Sequence, residues 1–181
     1  MTKFHPPGAE DTPGALTIGK AAAAFHRADA TFSAAYHARQ IRYLVQVGAL
    51  RPVNRRGAGG NAAFVLSPVE LLQARVLCAA LQVGIAADVL ADAPGWLGNV
   101  LVPNEPGRVV VTGWPRIVAD LRTGRDWFFC VEIPMFGSAR GYLTTDPTEA
   151  VIPARGLDRK ASIVLPLLPL LTPILADAEE A

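Results

Sequence analysis

The chain has 181 residues, of which 51% are hydrophobic and 18% charged, with 16 glycines and 15 prolines. This composition excludes a disordered chain and fits one ordinary domain or two small ones. The formal net charge of +1 hides an asymmetry, because residues 16–75 carry eight basic and two acidic residues, whereas residues 96–181 carry eight basic and ten acidic ones. The first half is therefore expected to meet a polyanion, and the second half is not.

Residues 1–15 read as a flexible tail, because they are rich in proline and glycine and show no periodicity. They contain no apolar stretch of the kind that a secretory signal needs. The strongest apolar run, residues 161–175, is interrupted by three prolines and is predicted to be core or interface rather than a membrane span. Cys78 and Cys130 have no metal-type spacing, so we expect reduced, buried thiols in a cytoplasmic protein.

Two helices are predicted at the start of the ordered part. Thr17 is placed to cap an alanine-rich helix over residues 18–25, and a loop follows over residues 26–31. A second helix is predicted over residues 33–47, because its apolar residues recur at helical spacing. Gly48 then supplies the left-handed residue that commonly ends a helix.

A β-hairpin and a well-capped helix come next. Residues 51–66 contain two short extended segments around a glycine-rich tip, which is typical of a hairpin. Ser67 precedes a helix with Pro68 at its first position and Glu70 three residues after the cap, the pattern of a capping box. A short helix is predicted over residues 86–90, and residues 93–95 are interpreted as a domain boundary.

The second half is predicted to be a small mixed α+β domain. Short strands are expected over residues 100–102, 109–112, 127–133, 151–153 and 162–165, and short helices over residues 115–121 and 169–176. The predicted fold class is therefore α+β. A winged helix-turn-helix domain over residues 16–93 follows the tail of residues 1–15, and a dimerisation or regulatory domain covers residues 96–181.

The second helix has the residue types that read DNA bases. Arg39, Gln40 and Arg42 are long hydrogen-bonding side chains suited to base edges in the major groove, and the Tyr43 hydroxyl can reach a phosphate. Ile41 and Leu44 are expected to anchor the opposite face in the core. At the start of the hairpin, two further arginines, Arg55 and Arg56, are placed to bind phosphates.

The order of these elements resembles the MerR family of transcription regulators. The matching stretches are residues 16–22, the Ile-Arg-Tyr motif within residues 39–50, the hairpin, and residues 66–90 with their Val-Gly-Ile segment. The resemblance implies recognition-helix contacts by Arg39, Gln40, Arg42 and Tyr43, and wing contacts by Arg55 and Arg56. Lys20 is also predicted to contact DNA.

The sequence departs from the family pattern at four points. About eight extra residues lie between the first helix and the recognition helix, near residues 26–35. The second wing strand, residues 62–65, lacks the arginine and tyrosine expected there. The long dimerisation helix that usually follows is absent, and so are the cysteines with which some relatives sense metals.

No catalytic or metal-binding constellation stands out, and no cofactor is predicted. His26 and His37 lie near the proposed DNA face and are expected to be surface residues, while His5 falls in the tail. Residues 57–60 lack the lysine and helix of a phosphate-binding loop. The aromatic residues of the second half are interpreted as core rather than as the lining of a ligand pocket: Trp114, Trp127, Phe128 and Phe129.

The sequence thus predicts a sequence-specific, non-enzymatic regulator that binds double-stranded DNA, with its recognition helix in the major groove and its hairpin on the phosphate backbone. A homodimer is expected to form through the second half, with residues 163–175 as one candidate contact, and a small-molecule effector is left open. The alternative is a protein–protein adaptor, of antitoxin or phage type, that uses the winged helix as a docking surface. An enzyme in the second half is a third possibility that no constellation supports.

Overall fold

The structure is a computed structural model that describes residues 14–52, 54–56, 63–101, 109–111, 113–134, 138–148 and 159–180. Within these ranges it contains six α-helices and eight strands in two sheets, so the predicted α+β class is confirmed. Most of the predicted tail, and the strand predicted over residues 151–153, lie outside the described residues.

The first half follows the predicted order of elements. They are β1 (Leu16–Thr17), α1 (Ile18–Ala28), α2 (Ala34–Gln46), β2 (Asn54–Arg56), β3 (Ala63–Leu66) and α3 (Pro68–Gln82). The three strands form an antiparallel sheet in the order β1-β3-β2. The two-residue strand β1 was not predicted from the sequence, because two residues are too few to show an alternating pattern.

Local hydrogen bonds explain where these helices begin and end. Thr17 Oγ1 accepts a hydrogen bond from the Lys20 N–H at the start of α1. Ser67 Oγ accepts from the Glu70 N–H at 3.3 Å and Glu70 Oε2 accepts from the Ser67 N–H at 2.6 Å, so the predicted capping box is confirmed. Gly48, with φ of 79°, follows the C-cap of α2 in the left-handed conformation that favours glycine.

The second half continues through a 3₁₀ turn (Val89–Asp92) into the following elements: α4 (Ala93–Trp96), β4 (Asn99–Leu101), β5 (Val109–Val111), α5 (Trp114–Arg122), β6 (Phe128–Pro134), β7 (Arg140–Thr144), β8 (Arg159–Pro166) and α6 (Leu167–Glu180). The strands form one sheet in the order β5-β4-β7-β6-β8, in which β4 and β7 run parallel and the other pairs antiparallel. Strand β7 was missed from the sequence, because Gly141 weakens its pattern.

The helix predicted over residues 86–90 is wrong. Residues 85–88 are not helical, and the 3₁₀ turn begins only at Val89. The end of α3 accounts for this, because Gly84 has φ of 91° and the Ile85 N–H donates to the Ala80 carbonyl at 3.0 Å. This hydrogen bond keeps Ile85 in the core, where it is 2% exposed. Too few residues then remain before α4 for a new helix.

One continuous hydrophobic core includes residues of both halves. Helix α6 packs against α1, α3 and α5. The core residues that α6 contributes are Leu167, Leu171 and Ile174, which belong to the same hydrophobic cluster as Leu72 and Leu77 of α3. Within the segment considered above as a dimer contact, residues 163–175, the side chains of Leu165, Leu167, Leu171 and Ile174 are buried in the chain itself, whereas others such as Val164 remain exposed.

The two thiols are free and buried, as predicted. Burial raises the pKa of Cys78 to about 12 and that of Cys130 to about 11. Both cysteines are therefore protonated at neutral pH and poor nucleophiles. Trp127 and Phe129 are buried, as predicted for core residues, and Phe128 is half-buried. Trp114 is buried too, but it also borders a cavity described below.

Candidate nucleic-acid interface

Five residues join α1 to α2, and polar bonds order the connection. At the end of α1 the Asp29 N–H donates to the Phe25 carbonyl at 2.9 Å, and Asp29 Oδ1 accepts a hydrogen bond from the Thr31 N–H at 3.0 Å. Ser33 Oγ then accepts from the Tyr36 N–H at 3.2 Å and caps α2. The region predicted as an insertion, near residues 26–35, thus contains the last turn of α1, which ends at Ala28, a turn with its own hydrogen bonds, and the start of α2.

The exposed face of α2 is basic and lacks carboxylates. At about 100° per residue, Arg39, Arg42 and Tyr43 fall on one face of the helix within an arc of about 100°. All three are exposed, with Tyr43 at 48%. Gln40 lies at the edge of this face, where it is half-buried and donates from Nε2 to the Tyr36 hydroxyl at 3.2 Å. No acidic residue occurs anywhere in α2.

The opposite face of α2 is completely covered. Ile41 and Leu44 are fully buried, as predicted for the anchoring side. His37, expected on the surface, is also fully buried, so that expectation is wrong. Its ring makes edge contacts with Phe25 and Phe32, at centroid distances of 5.8 and 6.1 Å. His37 is buried because it stands four residues before Ile41, on the inward face of the helix.

Burial shapes the chemistry of His37. Neither ring nitrogen has a hydrogen-bond partner among the described residues. Loss of water around the ring, followed by the positive charge of Arg75, lowers the pKa of His37 below its ordinary value of 6.5. The imidazole is therefore neutral at physiological pH and acts as a core residue, so it is not available to bind a phosphate.

The other predicted contact residues lie on two elements, α1 and β2. Lys20 is exposed on α1, where it borders a cavity described below. Arg55 and Arg56 lie on β2, opposite Phe64 and Ala63 of β3. Their backbones belong to the predicted hairpin, whereas their side chains and the hairpin tip lie outside the described residues.

Other kinds of site find little support in the described part of the chain. No group of three or more histidine, cysteine or acidic side chains is placed to hold a metal ion in the ranges given above. Within the same ranges, no helix is both long and apolar enough to cross a membrane. Neither a protein-family model, nor a curated protein, nor a solved structure matches the chain.

Proposed function

We propose that the chain is a sequence-specific DNA-binding transcription regulator. In this proposal α1 and α2 form a helix-turn-helix, α2 enters the major groove, and the β2–β3 hairpin is a wing on the phosphate backbone. The observation that carries the proposal is the two-sided character of α2. Arg39, Arg42 and Tyr43 are exposed on one face, and the opposite face is fixed by the fully buried Ile41 and Leu44.

The chemistry of the exposed face fits a nucleic acid. Arginine donates two hydrogen bonds in a fixed fork, which matches a guanine edge in the major groove or a phosphate on its rim. A helix anchored in the core holds these side chains in a defined register, which base recognition needs. The absence of acidic residues from α2 avoids repulsion from the phosphates.

A homodimer forms part of the same proposal. One recognition helix reads only a few base pairs, and a two-fold pair of helices reads two half-sites about one helical turn apart. Light scattering on the free chain and on its DNA complex gives the stoichiometry. A complex of one chain with one duplex would remove the dimer from the proposal while leaving DNA binding intact.

The experiment begins with selection of bound duplexes from a random pool, followed by affinity measurements on the selected sequence. Arg39→Ala and Arg42→Ala are each expected to weaken binding by roughly 10- to 100-fold, the usual value of a good arginine–base contact. Arg125→Ala is the matched control, because it removes the same charge from an exposed residue outside α2. Affinity should also fall steeply with salt.

Two outcomes would contradict the proposal. One is equal binding by the wild type and both α2 variants. The other is an affinity that does not change with salt, which would instead favour a protein–protein adaptor that uses the same surface.

A further inference from the structure

A cavity of about 1000 Å³ lies where α1, α3, α5 and α6 meet. This volume is at the upper end of the range that small-molecule sites in proteins occupy. Most of its wall is apolar, with contributions from all four helices. The main apolar wall residues are Leu71, Leu72, Trp114, Val118, Ile174 and Leu175.

The polar side chains around this cavity all carry the same charge. They are Lys20 and Arg27 on α1 and Arg122 on α5, and no carboxylate lines the cavity among the described residues. All three cations are exposed, whereas Leu71, Leu72 and Ile174 are buried. The cavity therefore combines an apolar interior with a basic rim.

Trp114 forms part of the cavity wall. Its side chain lines the cavity and is only 5% exposed, yet its Nε1–H has no hydrogen-bond acceptor among the described residues. Buried indole N–H groups usually have a partner, because an unpaired buried donor costs free energy. The Nε1 atom is itself inaccessible to water, so Trp114 contributes the apolar surface of its ring to the cavity wall.

We propose that this cavity binds a small amphipathic organic anion, an acyl or aromatic carboxylate, with its apolar body among the leucines and its carboxylate at the rim. Apolar burial supplies most of the affinity, and the cations select the charge. A second role of the ligand rests on the function proposed above, namely that it is an effector of DNA binding. Lys20 is both a rim residue and a predicted DNA contact, so a bound carboxylate competes with DNA phosphate for it.

The binding test uses anilinonaphthalene sulfonate, an amphipathic anion that fluoresces in apolar sites, with decanoate and decanol as competitors. Saturable fluorescence that decanoate displaces at least tenfold more effectively than decanol is the expected result. Absence of a saturable signal, or equal displacement by the uncharged alcohol, would overturn the proposed site.

Variants on α5 locate the bound probe. Arg122→Gln is expected to weaken decanoate binding roughly tenfold, as for loss of a charged hydrogen bond, while Arg116→Gln leaves it unchanged. Arg116 is exposed on the same helix but does not line the cavity. Val118→Phe should block the probe by filling the cavity, and Ala119→Phe, which adds the same ring on the exposed side, should not. Equal losses within either pair would contradict this location.

The effector role has its own measurement. Saturating decanoate is expected to weaken DNA binding by the wild type, and decanol is not. Unchanged DNA affinity would reject the effector role even if the probe binds. A protein that binds the probe but no DNA would instead reject the function proposed above and leave the anion site in place. Thermal unfolding of each variant identifies any that fails to fold, and the remaining pair then decides.

Discussion

The guanidinium Nη2 of Arg75 on α3 lies 3.4 Å from Oδ2 of Asp29, the C-cap residue of α1. The Arg75 side chain is 6% exposed, and its Cζ lies 5.7 Å from the centre of the Phe25 ring. Hydrogen bonds from Thr31, and then the charge of Arg75, hold the pKa of Asp29 below its ordinary value. A long-range ion pair thus joins α3 to the turn that sets the angle between α1 and α2.

Asp29→Ala is expected to destabilise the fold by about 1–2 kcal/mol, because it leaves the buried Arg75 cation without its carboxylate and the Thr31 N–H without its acceptor. The lower part of the range for a buried pair applies because the Asp29 side chain is 28% exposed, and water screens the interaction. Urea unfolding measures the change. Asp88→Ala, which removes an exposed carboxylate that caps nothing, should stay within about 0.5 kcal/mol of the wild type.

The same pair allows a sharper test with a second substitution. Arg75→Met in the Asp29→Ala background removes the orphaned charge and keeps an apolar side chain of similar length, so about 1 kcal/mol should return. A double variant that is less stable than Asp29→Ala alone would show that the packing of the Arg75 side chain contributes more stability than removal of its unpaired charge restores.

Because of the buried His37, the fold is expected to lose stability in mildly acidic solution. Because its pKa is lower in the folded chain than the unfolded value of 6.5, the unfolded state binds the proton more readily. The contribution of His37 is fully present above pH 6.5 and decreases as the pH falls below it towards the folded pKa. The lowered pKa of Asp29 acts in the same direction, but only below its ordinary value of 3.8.

Unfolding free energies measured between pH 7 and pH 5 check this expectation. In His37→Phe the decline over that window should be largely abolished, since phenylalanine does not titrate and suits the apolar site. Parallel pH profiles for the wild type and His37→Phe would assign the decline to another group.

Local chemistry explains which parts of the fold could be predicted from the sequence. Thr17, Gly48 and Ser67 act through atoms within a few residues of themselves, so their effects follow from neighbouring letters. The amphipathic pattern of α2 likewise placed Ile41 and Leu44 in the core.

Long-range packing explains what could not be predicted. The Asp29–Arg75 pair joins residues separated by 46 positions, and no periodic pattern links them. The cavity depends on four helices that meet only in the folded chain. His37 was wrongly predicted to be a surface residue, because histidine is common on protein surfaces. Its position in the helical pattern was the better guide to its burial.

Gly141 on β7 is expected to tolerate no side chain. A Cβ atom added to it would lie 2.5 Å from Cε3 of Trp96, which is itself 8% exposed and held on α4. Gly141→Ala should therefore destabilise the fold by about 1–3 kcal/mol through overpacking. Gly95→Ala on α4 is the control, because a Cβ there meets nothing within 4 Å and alanine favours a helix. Equal stability of the two variants in thermal unfolding would refute the close packing.

The DNA proposal makes separate predictions for the recognition helix and the wing. Arg39 on the exposed face of α2 is assigned to base edges, so Arg39→Ala should weaken binding to a selected duplex far more than to a scrambled one. Arg55 on β2 is assigned to phosphates, so Arg55→Ala should weaken binding to both duplexes equally. It should also reduce the slope of log affinity against log salt by about one.

Titrations of both variants against both duplexes at several salt concentrations separate these roles. Base contacts change the ratio of specific to nonspecific affinity, whereas a phosphate contact changes the number of counterions released and leaves that ratio unchanged. If Arg55→Ala lowers the ratio and Arg39→Ala does not, the assignments of helix and hairpin must be exchanged. If neither variant changes affinity or salt slope, α2 and the hairpin do not form the DNA-binding surface, and the exposed arginines must serve another partner.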